Sequence, residues 1–510
     1  MSHFKGRDIV SIEHFTRDEL EYLVHKAIEW KKAPEDDKLK RKKLAYAFFE
    51  ASTRTRISFL DAAATLGMRR MGFGSAESTS LTKHESVGHT LKVLEGYRAT
   101  VLVVRHKKDG TAQYAADKLS IPVINGGDGE HEHPTQTLVD LMSIQETQGK
   151  LSNLKVALVG DLKYGRTVHS LIKAMRQFDG NKFYLVHPDQ LALPREYTHY
   201  ENALGEHQKE DIEGRLSLDD AVKKCDIVYM TRMQLERMPE HERKQVLGSI
   251  QLKASMFNGL DRIRPTMRVL HPLPIDADNP EIEIGFDRLC PQFAYFFVQA
   301  ANGLPMRELL LSMVDGAMGE DFKGKGYIAR QLSDASTLVR LPVGNETKER
   351  KDYQLRPVYN GTVIDHIPDQ VGFKLVRALG LDDENKYSRG RVGLAQGLSS
   401  KRIASKEIIH LNGHELSPQE CNIIAMIAPG VTINIIRSGH VTDKYRTQLP
   451  DKITHGQLQC SNTNCISLDR REDAPNIFYV IHKEPAAELQ CHYCDTVHSY
   501  KRGNLKTVMK

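Results

Sequence analysis

The sequence has few of the features that mark membrane, secreted or nucleic-acid-binding proteins. No apolar run approaches the ~20 residues that a membrane-spanning helix needs, and the first seven residues lack the apolar core of a signal peptide. The 71 Lys and Arg residues barely exceed the 66 Asp and Glu residues, so the formal charge of +5 is too small to indicate nucleic acid. Arginine-rich stripes and stacking aromatic clusters are missing as well. We therefore expect a cytoplasmic protein with neither a membrane nor a nucleic acid as its partner.

The seven cysteines do not form a secreted disulfide pattern, because their number is odd and four of them crowd near the end of the chain. These four occur as C-x4-C and C-x2-C, with strand-like residues 477–481 between the two pairs. Paired short spacings suit tetrahedral Zn²⁺, and four thiolates predict one closed, structural zinc site per chain. Two disulfides remain the alternative. The four residues are Cys460, Cys465, Cys491 and Cys494.

The 510 residues, 40% of them hydrophobic, suggest about three domains with substantial cores. Residues 1–320 alternate helical and strand-like segments, which predicts βαβ units and parallel sheets. Residues 321–352 have little apolar periodicity and are typical of a linker. Residues 353–450 predict a small α+β domain, and residues 451–510 predict a β-rich, zinc-binding domain.

Residues 52–56 read Ser-Thr-Arg-Thr-Arg, between two regular elements. The apolar residues 44–49 predict a buried strand, and apolar residues from Ile57 recur at helical spacing as far as Gly67. Hydroxyls and guanidiniums therefore lie at a helix N-terminus, where backbone N–H groups and the helix dipole attract anions. We interpret this segment as a phosphate clamp, with a capping cluster of solvated arginines as the alternative.

Further polar clusters follow predicted strands, at the edge where parallel sheets bind ligands. One of them, residues 160–167, mimics a phosphate-binding P-loop but has Arg166 where Lys is required. The planar guanidinium of arginine suits a carboxylate, so a nucleotide hydrolase is not favoured. The other clusters are Arg105-His106, the run from His133 to Gln136, and the run from His271 to Pro274.

Taken together, these motifs and their order resemble the catalytic chain of aspartate carbamoyltransferase over residues 1–320. The resemblance implies two doubly wound parallel-sheet domains, residues 1–145 for carbamoyl phosphate and residues 146–320 for aspartate. It implies transfer of the carbamoyl group to the amine of L-aspartate, giving N-carbamoyl-L-aspartate and phosphate in pyrimidine biosynthesis, without an organic cofactor. We expect no covalent enzyme intermediate.

The resemblance also implies the roles of individual residues. Catalytic roles fall to Arg54, Thr55, Lys83, Arg105, His133 and Gln136, and substrate-binding roles to Ser52, Thr53, Ser80, Arg166, Arg232, Gln234, Leu273 and Pro274. Within these sets, residues 52–55 hold the phosphate, the arginines at 166 and 232 bind aspartate, and the loop around residue 80 reaches a neighbouring subunit. A homo-oligomer built on catalytic trimers with shared active sites follows.

Two other interpretations remain open. Ornithine carbamoyltransferase shares the phosphate clamp, but it typically carries His-Cys-Leu-Pro where this chain has His271-Pro272-Leu273-Pro274. A cationic ornithine side chain would also lie poorly against Arg166 and Arg232. The second alternative is a catalytically dead transferase scaffold that carries a zinc interaction module.

Residues 353–510 resemble the regulatory chain of the same family, which is usually a separate polypeptide. The resemblance implies an allosteric domain that binds nucleotide effectors and a zinc domain that docks on the catalytic chain. Its effector positions correspond to Asp365, His366, His410 and Lys444. Because His410 stands where the family commonly has lysine, we expect triphosphate binding to be weak and pH-dependent.

Overall fold

The structure is a computed structural model that describes residues 3–79, 83–198, 211–258, 263–328, 337–343, 355–383, 391–399, 405–454, 458–482 and 487–500. The chain divides into two compact units. The first contains Met1–Ala329, Asn462–Ala474 and Tyr493–Asp495, and the second contains Arg330–Ser461, Pro475–His492 and Thr496–Lys510. Among the described residues, no helix has both the length and the apolar character needed to cross a bilayer.

The first unit begins with a four-stranded parallel sheet, in the order β2-β1-β3-β4. Thr16 and Glu19 form a capping box at the start of the first helix, as the spacing Thr-x-x-Glu in the sequence predicts. The edge strand β2 and the glycine-containing β4 were not predicted, because neither has an apolar run. The elements are α1 (Arg17–Lys32), β1 (Lys43–Phe48), α2 (Arg54–Thr65), β2 (Arg69–Phe73), α3 (Val87–Gly96), β3 (Val101–His106), α4 (Thr111–Lys118), β4 (Val123–Asp128) and α5 (Pro134–Gln148).

A five-stranded parallel sheet follows, in the order β7-β6-β5-β8-β9. Four of its strands coincide with short apolar runs of the sequence that predict strands, near residues 155, 183, 226 and 267. The elements are β5 (Lys155–Val159), α6 (Arg166–Met175), β6 (Lys182–Val186), α7 (Arg195–Thr198), β7 (Ile212–Arg215), α8 (Leu218–Lys224), β8 (Ile227–Met230), α9 (Glu240–Val246), β9 (Arg268–Leu270), α10 (Phe286–Leu289), α11 (Phe296–Ala301) and α12 (Gly303–Asp315).

One apolar core cluster of the first unit contains side chains from both parallel sheets, among them Phe48, Val103 and Leu158. Trp30, the only tryptophan of the chain, is buried in this cluster, and its Nε1–H donates to Glu308 Oε2 at 2.8 Å. The fluorescence of Trp30 therefore reports on the first unit alone.

The second unit contains a six-stranded antiparallel sheet, in the order β10-β15-β14-β11-β13-β12, and a four-stranded antiparallel sheet, in the order β16-β17-β18-β19. Its elements are β10 (Leu338–Arg340), β11 (Gly361–Pro368), α13 (Gly372–Ala378), β12 (Val392–Ser399), β13 (Ser405–Asn412), α14 (Pro418–Ile427), β14 (Thr432–Arg437), β15 (His440–Thr447), β16 (Lys452–Thr454), β17 (Ile477–His482), β18 (Ala487–Cys491) and β19 (Val497–Tyr500).

The predicted fold class is confirmed, with parallel α/β sheets first and β-rich parts after them. The domain boundaries stay a prediction. Strand β10 lies inside residues 321–352, the predicted linker, and pairs with β15 through Leu338, Val339 and Arg340. Strand β10 has only three residues, two apolar and one charged, and so short a pattern does not predict a strand.

Candidate active site and metal centre

The predicted phosphate clamp lies where strand β1 gives way to helix α2. Helix α2 begins at Arg54, and its N-cap residue, Thr53, makes no side-chain capping hydrogen bond. The Thr53 and Arg54 side chains are exposed, Ser52 is half-buried and Thr55 is buried. Backbone N–H groups at such a helix start attract anions, so this end of α2 offers the donors that a phosphate needs.

Thr55 and His133 meet although they lie far apart in the sequence. The distance from Thr55 Oγ1 to His133 Nε2 is 3.3 Å. His133 precedes Pro134, the first residue of α5, and its backbone N–H donates to Ser170 Oγ at 3.1 Å. Burial, followed by the charge of Arg166, lowers the pKa of His133 well below its usual value. The imidazole is therefore neutral near pH 7 and can donate one hydrogen bond to a carbonyl oxygen.

Arg105 lies near the carboxyl end of β3, in the first sheet. Its guanidinium donates to the carbonyl of Gly126 at 3.0 Å and pairs with Glu50 Oε2 at 3.1 Å. Burial and then the nearby Arg166 lower the pKa of Arg105 to about 9, so the group stays charged at neutral pH. Glu50 was missed by the sequence analysis.

Glu50 also binds arginines from the second sheet region. Its Oε2 lies 3.3 Å from Arg166 Nη2, and its Oε1 lies 3.8 Å from Arg237 Nη2. Arg166 Nη1 donates in addition to the carbonyl of Gly129 at 2.7 Å. Three guanidiniums, those of Arg105, Arg166 and Arg237, therefore share one carboxylate, and this group can hold an anionic substrate.

The other predicted aspartate ligands follow strand β8. Arg232 pairs with Glu236, and Gln234 donates through Nε2 to the carbonyl of Tyr164 at 2.8 Å. The backbone N–H of Gln234 donates to Asp161 Oδ2 at 3.1 Å. These contacts hold the segment after β8 in place. Among the contacts of the described residues, none joins Arg232 to Arg166.

Gln136 belongs to a buried network centred on Asp140. Gln136 and Gln299 donate to Asp140 Oδ1 at 2.8 and 2.7 Å, and the Tyr229 hydroxyl donates to Oδ2 at 2.8 Å. Gln299 Oε1 in turn accepts the backbone N–H of His271 at 2.8 Å. Asp140 thus connects Gln136 with the loop after β9.

That loop contains Leu273 and Pro274, whose carbonyls were predicted to orient the carbamoyl nitrogen. Leu273 has a φ of 58°, and its peptide bond to Pro274 is cis. The backbone N–H of Leu273 donates to Nδ1 of His271 at 2.7 Å. The loop is therefore held by its own histidine, which is attached to the Asp140 network through Gln299.

Asp140 gives the first unit a predictable pH dependence. Burial raises the pKa of Asp140 to about 7, against the hydrogen bonds of Gln299, Gln136 and Tyr229, which act to lower it. A carboxyl group with a pKa above its unfolded value of about 3.9 contributes stability below that value and loses it as the pH rises through the folded pKa. We expect the Asp140→Asn variant to gain stability relative to the unaltered chain by up to about 1.4 kcal/mol per pH unit between pH 5 and 7.

Urea unfolding followed by Trp30 fluorescence at pH 5, 6, 7 and 8 measures this difference. A difference that is the same at every pH would contradict the raised pKa of Asp140. Asp473→Asn, which removes a carboxylate whose side chain is 95% exposed, is the matched control and should show no such trend.

Lys83 and Ser80 are the two residues predicted to act in a neighbouring active site, and only Lys83 belongs to the described part of the chain. Lys83 has an exposed side chain and lies four residues before helix α3. The other, Ser80, lies outside the described residues. His84, which follows Lys83, has a φ of 66°, a left-handed conformation that favours glycine.

The four predicted zinc ligands form one cluster. The Sγ atoms of Cys460, Cys465, Cys491 and Cys494 all lie within 4.8 Å of one another, and all four residues are buried. A single cluster of four sulfurs favours one metal site over the alternative of two disulfides. Zn–S bonds of about 2.3 Å would place tetrahedral sulfurs about 3.8 Å apart, so the cluster fits a metal of this kind.

The predicted effector residues lie on the six-stranded sheet. In the register across four strands, His410 is opposite Val363, Val363 is opposite Asn434, and Asn434 is opposite Lys444. Directly paired residues of antiparallel strands share a face, so His410 and Lys444 belong to one face. His410 is buried, and its Nδ1 lies 3.0 Å from the carbonyl oxygen of Arg356.

Asp365 and His366 lie near the end of β11, where Asp365 Oδ2 is 3.2 Å from His366 Nδ1. Lys406 Nζ lies 2.6 Å from Asp365 Oδ1 and adds a cation that the sequence analysis did not assign. The sequence gives little indication of this ion pair, because Lys406 and Asp365 are 41 residues apart. The one available signal is that Lys406 lies at the start of strand β13.

Four family models match consecutive parts of the chain. Two describe aspartate/ornithine carbamoyltransferases, with the carbamoyl-phosphate-binding domain at residues 7–146 and the Asp/Orn-binding domain at residues 152–314. The other two describe the aspartate carbamoyltransferase regulatory chain, with the allosteric domain at residues 353–448 and the metal-binding domain at residues 452–503.

Individual relatives agree with the two carbamoyltransferase models. The aspartate carbamoyltransferase catalytic subunit of Chromobacterium violaceum is 44% identical over 311 residues, which are 60% of this chain and 97% of that protein. The catalytic subunit of M. jannaschii aspartate transcarbamoylase is 35% identical with a TM-score of 0.53, covering 60% of this chain and 97% of its own. The Trypanosoma cruzi aspartate transcarbamoylase in complex with carbamoyl phosphate and aspartate is 31% identical with a TM-score of 0.55, covering 61% of this chain and 98% of its own.

Proposed function

This chain belongs to the aspartate carbamoyltransferase family, and from that premise we propose how its residues bind and activate the two substrates. It is an enzyme that transfers the carbamoyl group of carbamoyl phosphate to the amine of L-aspartate, giving N-carbamoyl-L-aspartate and phosphate. Domains of the family's catalytic and regulatory chains are joined here in one polypeptide.

The assignment of residue roles depends mainly on three side chains, those of Thr55, Arg105 and His133. Thr55 and His133 are in contact, and Arg105 is a charged donor at the end of β3. We assign these three groups to the carbamoyl oxygen, where preorganised donors stabilise the negative charge that develops during attack. Because His133 is neutral, it acts as a hydrogen-bond donor and not as a competing cation.

The phosphate of carbamoyl phosphate binds at the start of α2, to Ser52, Thr53, Arg54 and Thr55. The uncharged amine of aspartate attacks the carbamoyl carbon and the C–O bond to phosphate breaks. The departing phosphate takes up the proton that the amine loses, so it leaves as the dianion HPO₄²⁻ held by Arg54. Gln136 and the carbonyls of Leu273 and Pro274 orient the amide nitrogen. Holding both reactants in this geometry contributes about 7–11 kcal/mol toward lowering the barrier.

Aspartate binds through cations at the edge of the second sheet. Arg166 and Arg232 meet its two carboxylates, and Gln234 adds an amide donor. In the structure Arg166 is held by Glu50, so substrate binding replaces one carboxylate partner with another. Ornithine has one carboxylate and a cationic side chain, which these arginines disfavour.

Product formation by the purified full-length chain tests these assignments. Carbamoyl aspartate is expected to form from carbamoyl phosphate and aspartate, while ornithine in place of aspartate gives no citrulline. Citrulline as the main product would overturn the assignment of Arg166 and Arg232. Isolation of a carbamoylated side chain by mass spectrometry would overturn the direct transfer.

We place the active site at a subunit boundary in a catalytic trimer. The exposed Lys83 contributes to the phosphate and carboxylate contacts of the neighbouring subunit, together with Ser80. A mixture of two inactive variants, Lys83→Ala and Arg54→Ala, is then expected to regain about a quarter of the activity after subunit exchange, since about one interface in four contains both intact residues.

Each variant taken alone through the same exchange procedure is the control for this recovery. If the mixture stays as inactive as its parents while mixed oligomers are detected by native mass spectrometry, the shared site is contradicted. Activity of unmixed Lys83→Ala at the level of the unaltered chain would contradict the role of Lys83.

The metal held by the four cysteines is zinc in our proposal, one per chain, with a structural role. Four thiolates fill a tetrahedral shell and keep no open position for a substrate, which is typical of structural zinc. Neither this metal nor an organic cofactor takes part in carbamoyl transfer. We infer the cytoplasm as the site of action, because the odd number of cysteines and their spacing do not form a secreted disulfide pattern.

A nucleotide effector binds the face of the six-stranded sheet that carries His410 and Lys444, near Asp365 and Lys406. Because a histidine replaces one of the expected lysines, we expect a nucleoside triphosphate to bind more weakly to the unaltered chain than to the His410→Lys variant, whose added charge attracts the phosphates. Isothermal titration calorimetry of both proteins with ATP measures this difference. Equal affinities of the two proteins would contradict the role of His410.

A further inference from the structure

Residues 462–474, from the metal-binding part of the sequence, pack within the first unit. Their attachment includes a backbone bridge at Asp109, where the Asp109 N–H donates to the carbonyl of Asn464 at 3.2 Å and the Ile466 N–H donates to the carbonyl of Asp109 at 3.0 Å. Asn462 Nδ2 adds a hydrogen bond to Asp109 Oδ2 at 2.7 Å. The segment is therefore fixed in register against residues of the first sheet region.

Glu472 of this segment reaches the N-terminus of helix α3. Its Oε1 accepts the N–H of Val87 at 2.6 Å, and its Oε2 accepts the N–H of Gly88 at 3.0 Å and the hydroxyl of Tyr114 at 3.1 Å. Ser86 Oγ accepts the third N–H of the helix, that of His89, at 3.0 Å. Three first-turn donors of α3 are thus satisfied, two of them by the distant Glu472.

The packing around this contact leaves little freedom. A Cβ atom added at Gly88 would lie 2.4 Å from the Tyr114 hydroxyl, so the start of α3 approaches Tyr114 as closely as only glycine permits. Burial, followed by the charge of Glu472, raises the pKa of Tyr114, and the phenol therefore stays a donor to the carboxylate. A carboxylate at a helix N-terminus is also stabilised by the helix dipole.

Lys83 lies four residues before Val87, at the end of the loop that leads into this helix start. We propose that Glu472 is a positioning residue for Lys83: by holding the N-terminus of α3, it fixes the point from which the loop extends toward the neighbouring active site. The metal-binding part of the chain thereby acts on catalysis through a loop, without touching a substrate. The proposal rests on the role of Lys83 in the proposed function.

Steady-state kinetics of the full-length, metal-loaded Glu472→Gln variant tests the proposal. The side chain keeps its size but loses its charge and one acceptor, so we expect the KM for carbamoyl phosphate to rise about tenfold, while kcat changes by less than about twofold. Asp473→Asn is the matched control, since it removes the same charge from the neighbouring, exposed residue and should leave both constants unchanged.

A double-mutant cycle separates positioning from simple helix capping. If Glu472 acts through Lys83, Glu472→Gln adds no further effect in a Lys83→Gln background, measured at enzyme concentrations that make the residual activity visible. Additive effects of the two substitutions would overturn the proposal. So would an active Glu472→Gln variant with the kinetics of Asp473→Asn.

Trp30 fluorescence and metal content show that the variants compared are folded and loaded. If Glu472→Gln loses its metal or its folded signal, Glu472→Asp takes its place. This variant keeps the carboxylate on a side chain that is one methylene shorter. A KM for carbamoyl phosphate equal to that of the unaltered chain would then overturn the proposal. Failure of the unaltered chain to form carbamoyl aspartate would instead overturn the proposed function, so the two failures are distinguishable.

Discussion

Replacement of Arg54 by alanine is expected to lower kcat for carbamoyl aspartate formation by about 10²- to 10³-fold, the typical effect of removing one preorganised donor to a developing charge. Arg54 begins helix α2, and its side chain is exposed. Its guanidinium can bind two phosphate oxygens at once, and it remains bound to phosphate as the C–O bond breaks. The loss therefore falls on the transition state more than on substrate binding.

Two further variants make this measurement specific. Arg54→Lys keeps the charge but loses the planar fork, and its kcat should lie between those of the unaltered chain and Arg54→Ala. Arg69→Ala removes an exposed arginine from strand β2 and should leave kcat unchanged. Trp30 fluorescence confirms that each variant is folded. Equal kcat values for Arg54→Ala and Arg69→Ala would contradict the phosphate role of the α2 N-terminus.

Removal of the metal is expected to unfold the β16–β19 sheet while the two parallel sheets of the first unit stay folded. The sheet has four short strands, and a structural zinc site contributes about 10–16 kcal/mol of binding free energy, more than so small a domain gains from its core. Without the metal, four buried thiolates would repel one another, so the cysteines must either take up protons or become exposed to water.

Chelation of the full-length chain tests this expectation, with metal content measured by elemental analysis. Far-UV circular dichroism should lose strand signal, and protease cleavage should appear between residues 477 and 500, while Trp30 fluorescence stays unchanged. Cys225→Ser, at a buried cysteine outside the cluster, controls for general thiol effects. Complete metal loss with unchanged activity and unchanged oligomer size would contradict the structural role of the site.

The sequence predicted the parts of this molecule that local patterns determine. Thr16 and Glu19 mark the start of α1 because both capping hydrogen bonds lie within four residues. The apolar run before Ser52 and the helical spacing after it located β1 and α2, because the two periodicities differ. The cysteine pairs predicted one cluster, since each spacing already brings two sulfurs close together.

Contacts between charged residues that lie far apart in the sequence could not be predicted from it. Nothing in the neighbourhood of Glu50 indicates that it meets Arg105, Arg166 and Arg237, which lie 55 or more residues away. Glu472 and Lys406 were missed for the same reason, because each partner lies on a different element. The short strand β2 was missed because Arg69 and Arg70 give it no apolar signal. Each omission involves an interaction that only the tertiary fold creates.

The carboxylate of Glu50 acts as an internal counterion for three arginines. A site that must accept two anionic substrates would otherwise hold several like charges close together in a partly buried cleft, at a considerable cost in stability. With Glu50 present, the empty site is already partly neutralised, and an incoming carboxylate competes with one that is covalently tethered. The affinity for aspartate is therefore a difference between two ion-pairing arrangements. This makes binding weaker than the number of arginines suggests and favours release of the carbamoylated product.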